Sequence, residues 1–281
     1  MTKSLPINNG KQFISSSDIL DVKRALQSKL LSSGPINKNF EKEIKRLKKS
    51  KYAISCNSGT SALFLALKAI NTNDKDIIIL PSINFIAAIN SVSLLGAKFF
   101  LADVDSATGQ MTVDSVKKCI KRNKIKKVKA IVNMYLAGAP RNIKGFYNLK
   151  KKLGCYLIED ACHAFGSIYS VANKNYKIGS CKHSDICTFS FHPLKSITTG
   201  EGGAITLNSK KLYDKIILLR SHGIVKSKKY WKYDVMEPGY NFRLSEINAA
   251  LGLSQIKQLN RFINHRRNIF KTYYKKLNNF K

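Results

Sequence analysis

Apolar and polar residues follow one another along this chain in two periods. At 52–56, 77–80, 98–102, 130–134 and 156–159, apolar residues cluster over four or five positions, as in short strands buried in a sheet. Between these runs, at 61–70, 85–95, 113–121 and 144–153, they return every three or four positions, the spacing of helices packed on one side. Strand and helix therefore take turns, which predicts an α/β domain with a largely parallel sheet. Ahead of the first strand, Ser15, Ser16, Ser17 and Asp18 precede Ile19, Val22 and Leu26, an N-capped amphipathic helix that ends before Gly34 and Pro35. A second helix is predicted from about Asn39. After residue 185 the pattern changes to an apolar run at 186–191, the stretch Gly200-Glu201-Gly202-Gly203, and a run at 204–207, which predicts antiparallel pairing. Helices at 245–259 and 261–277 follow, with no internal repeat and no linker.

Ligands of such sheets sit beyond the carboxyl ends of the strands. Polar clusters at 57–60, 81–84 and 160–163 each follow a strand, so three segments point to one crevice. The first of them, Asn57-Ser58-Gly59-Thr60, also opens a helix, an arrangement that offers free N–H groups to an anion.

Composition narrows the function classes. A chain of 281 residues, 44% hydrophobic, can bury a sizeable core. Its longest apolar runs are too short to span a bilayer and its first ten residues carry no leader-like run, so a cytoplasmic protein without membrane contact is expected. The six cysteines form no Cys-x-x-Cys pair, and reduced thiols without a disulfide or metal site are expected. A formal charge of +32 is the usual footprint of a nucleic-acid binder. Here it is mostly lysine scattered over many segments, among them Lys42 to Lys51, Lys117 to Lys129, Lys144 to Lys152 and Lys226 to Lys232, and reads as solvated faces rather than as a nucleic-acid site. What it retains is attraction for phosphate-bearing small molecules.

Chemistry with pyridoxal 5′-phosphate needs a lysine to hold the aldehyde, an acid beside the pyridine nitrogen and an anion site for the phosphate. Asp160 ends an apolar strand, Lys195 lies 35 residues later in Ser190-Phe191-His192-Pro193-Leu194-Lys195, and the turn at 58–61 opens a helix. Each alone has a plainer reading: a cap, a surface lysine, a common turn. Their joint order is far more specific.

On these residues the chain resembles the DegT/DnrJ/StrS sugar aminotransferases. The motifs that carry the resemblance are Asn57-Ser58-Gly59-Thr60-Ser61-Ala62-Leu63, Asp103-Val104-Asp105, Glu159-Asp160-Ala161-Cys162-His163-Ala164-Phe165-Gly166, the run from Phe189 to Gly203, and Tyr240-Asn241-Phe242-Arg243-Leu244. It extends from about Ile7 to the last residue. Leu219-Arg220-Ser221-His222-Gly223-Ile224 and Ala250-Leu251-Gly252-Leu253-Ser254-Gln255 look most like the branch that works in pseudaminic acid synthesis. The resemblance implies the aspartate aminotransferase type of fold (fold type I). It implies a pyridoxal-phosphate-binding large domain over 1–245, with an N-terminal helical arm at about 1–50 and a mainly parallel mixed sheet. Helices at 246–281 would lead into a C-terminal small domain that the family normally has and that is largely missing here.

Carried over to this chain, the resemblance makes Lys195 the residue that holds the cofactor and shuttles a proton, and Asp160 the partner of the pyridine nitrogen. Phe85 would stack on the ring and His163 would lie against its edge. Gly59, Thr60 and Ser190 would bind the phosphate. Asn241 would reach that phosphate from the neighbouring subunit of a homodimer with shared sites. Without the family, Asp160 and Gly59-Thr60 read as caps, Phe85 and His163 as core residues, and 240–243 as a turn before a helix. The implied substrates are glutamate and a UDP-linked 4-keto-6-deoxy-N-acetylhexosamine, aminated at C4. Three other readings compete. A dehydratase branch carries histidine in place of the lysine, and Lys195 speaks against it. A non-catalytic cofactor-binding relative and a nucleic-acid binder are the others.

Overall fold

The protein is described here by a computed structural model covering residues 10–227 and 231–278. The start of the predicted N-terminal arm, residues 228–230 within the Lys226 to Lys232 run, and residues 279–281 lie outside the described residues. In chain order the first half holds α1 (Ser16–Leu26), α2 (Pro35–Lys48), β1 (Tyr52–Cys56), α3 (Gly59–Ala69), β2 (Ile77–Pro81), α4 (Ala87–Leu94), β3 (Lys98–Ala102), α5 (Val113–Arg122), β4 (Ala130–Met134), α6 (Ile143–Leu153) and β5 (Tyr156–Asp160). The second half holds β6 (Ile168–Val171), β7 (Lys174–Lys177), β8 (Ile186–Ser190), β9 (Gly203–Leu207), α7 (Lys210–Arg220), β10 (Ile224–Lys226), β11 (Tyr233–Val235), α8 (Glu246–Lys257) and α9 (Leu259–Leu277).

Seven strands form one sheet in the order β1-β9-β8-β5-β4-β2-β3. Every pair is parallel except the two made by β9, which runs antiparallel to both β1 and β8. β6 with β7 and β10 with β11 make separate two-stranded hairpins. Because successive residues of a strand face opposite sides, the apolar runs fill two layers at once. Ile54, Ile78, Leu80, Val132, Ile158, Ile186 and Ile205 meet α3, α4 and α7 on one face. On the other, Ala53, Cys187, Phe189 and Ala204 meet α2 and α8, while Ile79, Ile131 and Leu157 meet α5 and α6. The same parity decides where the polar groups at the strand ends point: Asp160, two residues beyond Ile158, falls on the α3 side, and Glu159 on the opposite one.

Two helical expectations need correction. α2 begins at Pro35 rather than near Asn39: Pro fits the first turn because it lacks only an N–H that would go unbonded there. The cap comes from far along the chain, where the buried Glu246 carboxylate accepts from Gly34 N, Ile36 N and Asn37 N at 2.9, 2.8 and 3.1 Å. α1 is capped by Ser15 as predicted, but Ile19 and Leu26 are 63% and 56% exposed. The helix instead buries Asp18 and Ala25, and Asp18 Oδ2 accepts from Gln255 Nε2 of α8 at 2.8 Å.

Lys48, the last residue of α2, is buried on the face away from Asp160, with its ammonium 3.6 Å from the Phe165 ring centre and 4.9 Å from that of Phe189. Burial pulls its pKa down from 10.5 to about 7; Cys187 opposes that shift and Lys177 adds to it. A lysine whose folded value lies below its unfolded one costs stability as pH falls from 10.5 towards 7, because the unfolded chain keeps a proton the folded one releases. Lys48→Met should therefore be more stable than the parent by about 2 kcal/mol at pH 7. The advantage should shrink steadily towards pH 10, as read from urea midpoints of both proteins at each pH.

Candidate active site

The carboxyl ends of β1, β2, β4, β5 and β8 share one edge of the sheet, and the segments leaving them enclose a cavity of about 700 Å³. Ser58, Gly59 and Thr60 follow β1, Ile83, Asn84 and Phe85 follow β2, and Met134 and Leu136 close β4. Asp160, Cys162 and His163 come from β5, and Ser190, His192, Leu194 and Lys195 from β8. Glu201 enters ahead of β9. Of the eight residues expected to serve the site, seven line this one cavity: Gly59, Thr60, Phe85, Asp160, His163, Ser190 and Lys195. The eighth, Asn241, lies outside it on the same protomer. Its side chain is exposed, and its carbonyl accepts from Asn57 Nδ2 at 3.4 Å.

At the mouth of α3, Ser58 Oγ accepts from Ser61 N at 3.0 Å, which satisfies the third amide of the helix. The amides of Gly59 and Thr60 come before any carbonyl that could accept from them, and the positive end of the helix dipole adds to their pull on an anion. Two glycines bring this mouth against the sheet. A Cβ on Gly59 would stand 2.8 Å from Ser190 Cβ, and one on Gly203 would stand 2.3 Å from the Ser58 carbonyl oxygen. The result is a cradle of two amides beside the Ser190 hydroxyl, donors of the kind a phosphate-like group takes.

In the same cavity Asp160 is 3% exposed, and its Oδ1 accepts from the Cys162 N–H at 3.1 Å. Burial, together with the negative Asp160 beside it, pushes the Cys162 thiol well above its ordinary pKa, so it stays protonated. His163 is held below the ordinary imidazole value by burial first and then by the Lys195 charge, with Asp160 opposing, so its ring is neutral near pH 7. Its Nδ1 is buried and has no hydrogen-bond partner among the described residues. Phe85 presents its ring to the cavity and is 68% exposed.

An anion cradle, a buried carboxylate, an open aromatic face and a lysine within the same walls make a set that fits pyridoxal 5′-phosphate. The unpartnered His163 Nδ1 marks a polar position that the protein alone leaves unsatisfied. Sequence reasoning missed Asn84, Cys162, His192 and Glu201 as wall residues. The signal for the first two was present, since Asn84 ends the polar cluster after β2 and Cys162 stands between Asp160 and His163. Among the described residues no group of three or more His, Cys, Asp and Glu side chains could hold a metal, and no helix is long and apolar enough to cross a membrane.

The pattern of the DegT/DnrJ/EryC1/StrS aminotransferase family matches residues 12–281. The chain is 38% identical over 266 residues to the UDP-4-amino-4,6-dideoxy-N-acetyl-beta-L-altrosamine transaminase of Campylobacter jejuni serotype O:2, covering 94% of this chain and 68% of that protein. It is 36% identical over 258 residues to the GDP-perosamine synthase of Escherichia coli O157:H7, covering 92% and 67%. Among solved structures it resembles Helicobacter pylori PseC, an aminotransferase involved in the biosynthesis of pseudoaminic acid. There the TM-score is 0.87 at 32% identity, covering 96% of this chain and 70% of that one.

The contact at Gly203 yields a direct test. Gly203→Ala must push the α3 mouth away from the sheet, with an expected loss of about 2 kcal/mol in denaturant unfolding. A crystal structure of the variant should show the Ser58–Gly59 turn displaced, whereas a silent substitution would mean that the cradle does not depend on this approach.

Proposed function

Because the chain belongs to the DegT/DnrJ/EryC1/StrS family of pyridoxal-phosphate-dependent aminotransferases, we propose that it transfers an amino group, with glutamate as donor, to C4 of a UDP-linked 4-keto-6-deoxy-N-acetylhexosamine. The observation that carries this reading is the convergence of Lys195, Asp160 and the Gly59–Thr60 cradle on one cavity. The nucleotide and sugar rest on the names of the Campylobacter and Helicobacter relatives. The related GDP-perosamine synthase makes a GDP-linked keto sugar the competitor to test.

Bound pyridoxal phosphate supplies an aldehyde that can carry an amino group and a ring that draws off an electron pair. The protein does the rest. The Gly59 and Thr60 amides and the Ser190 hydroxyl would bind its phosphate. Asp160, fixed by the Cys162 N–H, would keep the ring nitrogen protonated through charge, the electrostatic contribution that counts most when negative charge develops during reaction. Lys195 Nζ would hold the aldehyde and serve as the acid–base group for the proton at the reacting carbon. Neutral His163 and the Phe85 ring orient the cofactor without adding charge near it.

The same reading has residues 1–245 as the cofactor-binding domain and 246–281 as helices leading towards a second one. It makes the enzyme a cytoplasmic homodimer in which Asn241 of each subunit completes the phosphate site of the other. The exposed Ile83, Phe85 and Ile86 at the cavity mouth are in keeping with a site covered by a second copy.

The purified protein incubated with pyridoxal phosphate should develop a visible absorbance band that glutamate bleaches. Lys195→Ala should form no such band, and Asp160→Ala should keep the band yet lose at least about a hundredfold in turnover. An Asp160→Ala protein with nearly parental turnover would overturn the assignment, and a parent that never forms the band would leave a non-catalytic relative. Asn241→Ala should loosen cofactor retention several-fold, measured by dialysis against buffer, if subunits share sites; a purely local turn would leave retention unchanged.

A further inference from the structure

The loop that carries Lys195 leaves β8 and returns as β9, and two different helices hold it. Its outer half is tied to α8, where Asn248 Nδ2 donates to the Thr199 carbonyl and Gln255 Oε1 accepts from Thr198 N at 3.4 Å. Bonds within the loop brace the same half, Thr199 N to the Phe191 carbonyl at 3.0 Å and Thr198 Oγ1 to that carbonyl at 3.1 Å. The inner half, which bears the lysine, has a different holder. Arg266, midway along α9, sends Nη2 to the Lys195 carbonyl at 2.8 Å and to the Leu194 carbonyl at 3.2 Å. Among the described residues these two carbonyls have no other hydrogen-bond partner outside the loop.

On this geometry we propose that Arg266 is a positioning residue for Lys195: from behind the loop, its guanidinium fixes the two peptide planes that aim the lysine side chain into the cavity. Arg266 has this role on the function proposed above, and it does not line the cavity itself. Lys195 lies between two hollows. Its side chain lines the 700 Å³ cavity, and it also borders a cleft of about 110 Å³ shared with Phe13, Gln255, Phe262, His265 and Arg266. A long side chain anchored at an unfixed backbone sweeps many positions, and a displacement of about 1 Å at a reacting group can cost on the order of a hundredfold in rate. Through one nitrogen, Nη2, a single side chain reaches two successive carbonyls and so holds both peptide planes together.

The cleft also shows why α9 is available for this task. Phe13 packs edge-on against Phe262 at 6.1 Å, the Arg261 guanidinium lies 4.9 Å from the Phe13 ring, and Gln255 Nε2 donates to the Phe13 carbonyl at 3.0 Å. The N-terminal arm, the end of α8 and the start of α9 are therefore bound together, which sets the first turns of α9 at a fixed height beside the loop.

The test uses the full chain as the parent, Arg266→Met, Arg266→Gln and, as a control, Arg267→Met on the adjoining position of α9. Without cofactor, amide hydrogen exchange over residues 194–197 should quicken about fivefold or more in Arg266→Met and stay parental in Arg267→Met. With pyridoxal phosphate, growth of the visible band should slow about tenfold, and kcat for the glutamate half-reaction should fall by a similar factor with KM within about twofold. Partial unfolding would also lower apparent kcat at constant KM, so rates are normalised to the folded fraction read by circular dichroism, and a general loss of stability would quicken exchange throughout the core as well as over 194–197. Should the methionine variant fail to fold, Arg266→Gln takes its place with about a threefold effect in the same direction. Parental exchange and band growth in both Arg266 variants would overturn the proposal. If the parent forms no band while Arg266→Met still exchanges faster over 194–197, the hold on the loop stands and the aminotransferase reading falls.

Discussion

The site depends on one close approach of backbone to backbone. The α3 mouth lies against the β8–β9 edge closely enough that a single methyl group on Gly203 would overlap the Ser58 carbonyl. No side-chain rearrangement can relieve such a contact, because both sides are main chain. Given that approach, Gly59, Thr60 and Ser190 lie together in the cavity wall. The same cavity takes in Asp160 from β5, Phe85 from the segment after β2 and Lys195 from the loop between β8 and β9. Antiparallel β9 makes this possible, since it brings the start of one strand to the edge where the others end.

Strand parity then sorts the polar groups. Asp160 reaches the cavity, while its neighbour Glu159 is turned to the opposite layer, where Tyr135 Oη donates to it at 2.7 Å and burial raises its pKa. Lys48 is buried in that same opposite layer against Phe165 and Phe189. The buried charges of the protein are thus separated by the sheet into a reactive set and a structural set. The large positive charge belongs to neither, since most of it sits on exposed lysines.

The seven strands of the large sheet were legible to within a residue because their apolar runs are short and bounded by turns, and Lys98–Ala102 and Ala130–Met134 fall on the predicted positions. The site was legible because its motifs stand at strand ends. What escaped notice has physical reasons. α7 carries lysines at 210, 211 and 215 that interrupt its apolar repeat, although Leu212, Ile216 and Leu219 pack on the core. The β6–β7 hairpin is half exposed and mixed in polarity, so neither period appears in it. The start of α2 was misplaced because its cap is Glu246, and a cap supplied from across the chain leaves no local mark. Arg266 was one basic residue among many, and only its two carbonyl partners distinguish it.

The sheet order also bears on how the protein acquires its site. β8 and β9 pair through a short connection, so the lysine loop can form early from neighbouring sequence. β1 must instead travel from near the other end of the chain to dock along β9, pairing Cys56 with Gly203, and that closure is what brings Ser58 and Gly59 to Ser190. The anion cradle is therefore closed by a pairing between distant parts of the chain, at an outer strand with a single neighbour. A phosphate-bearing ligand that grips it would fasten this outer edge of the sheet, so that its presence during synthesis should raise the yield of folded protein as well as its activity.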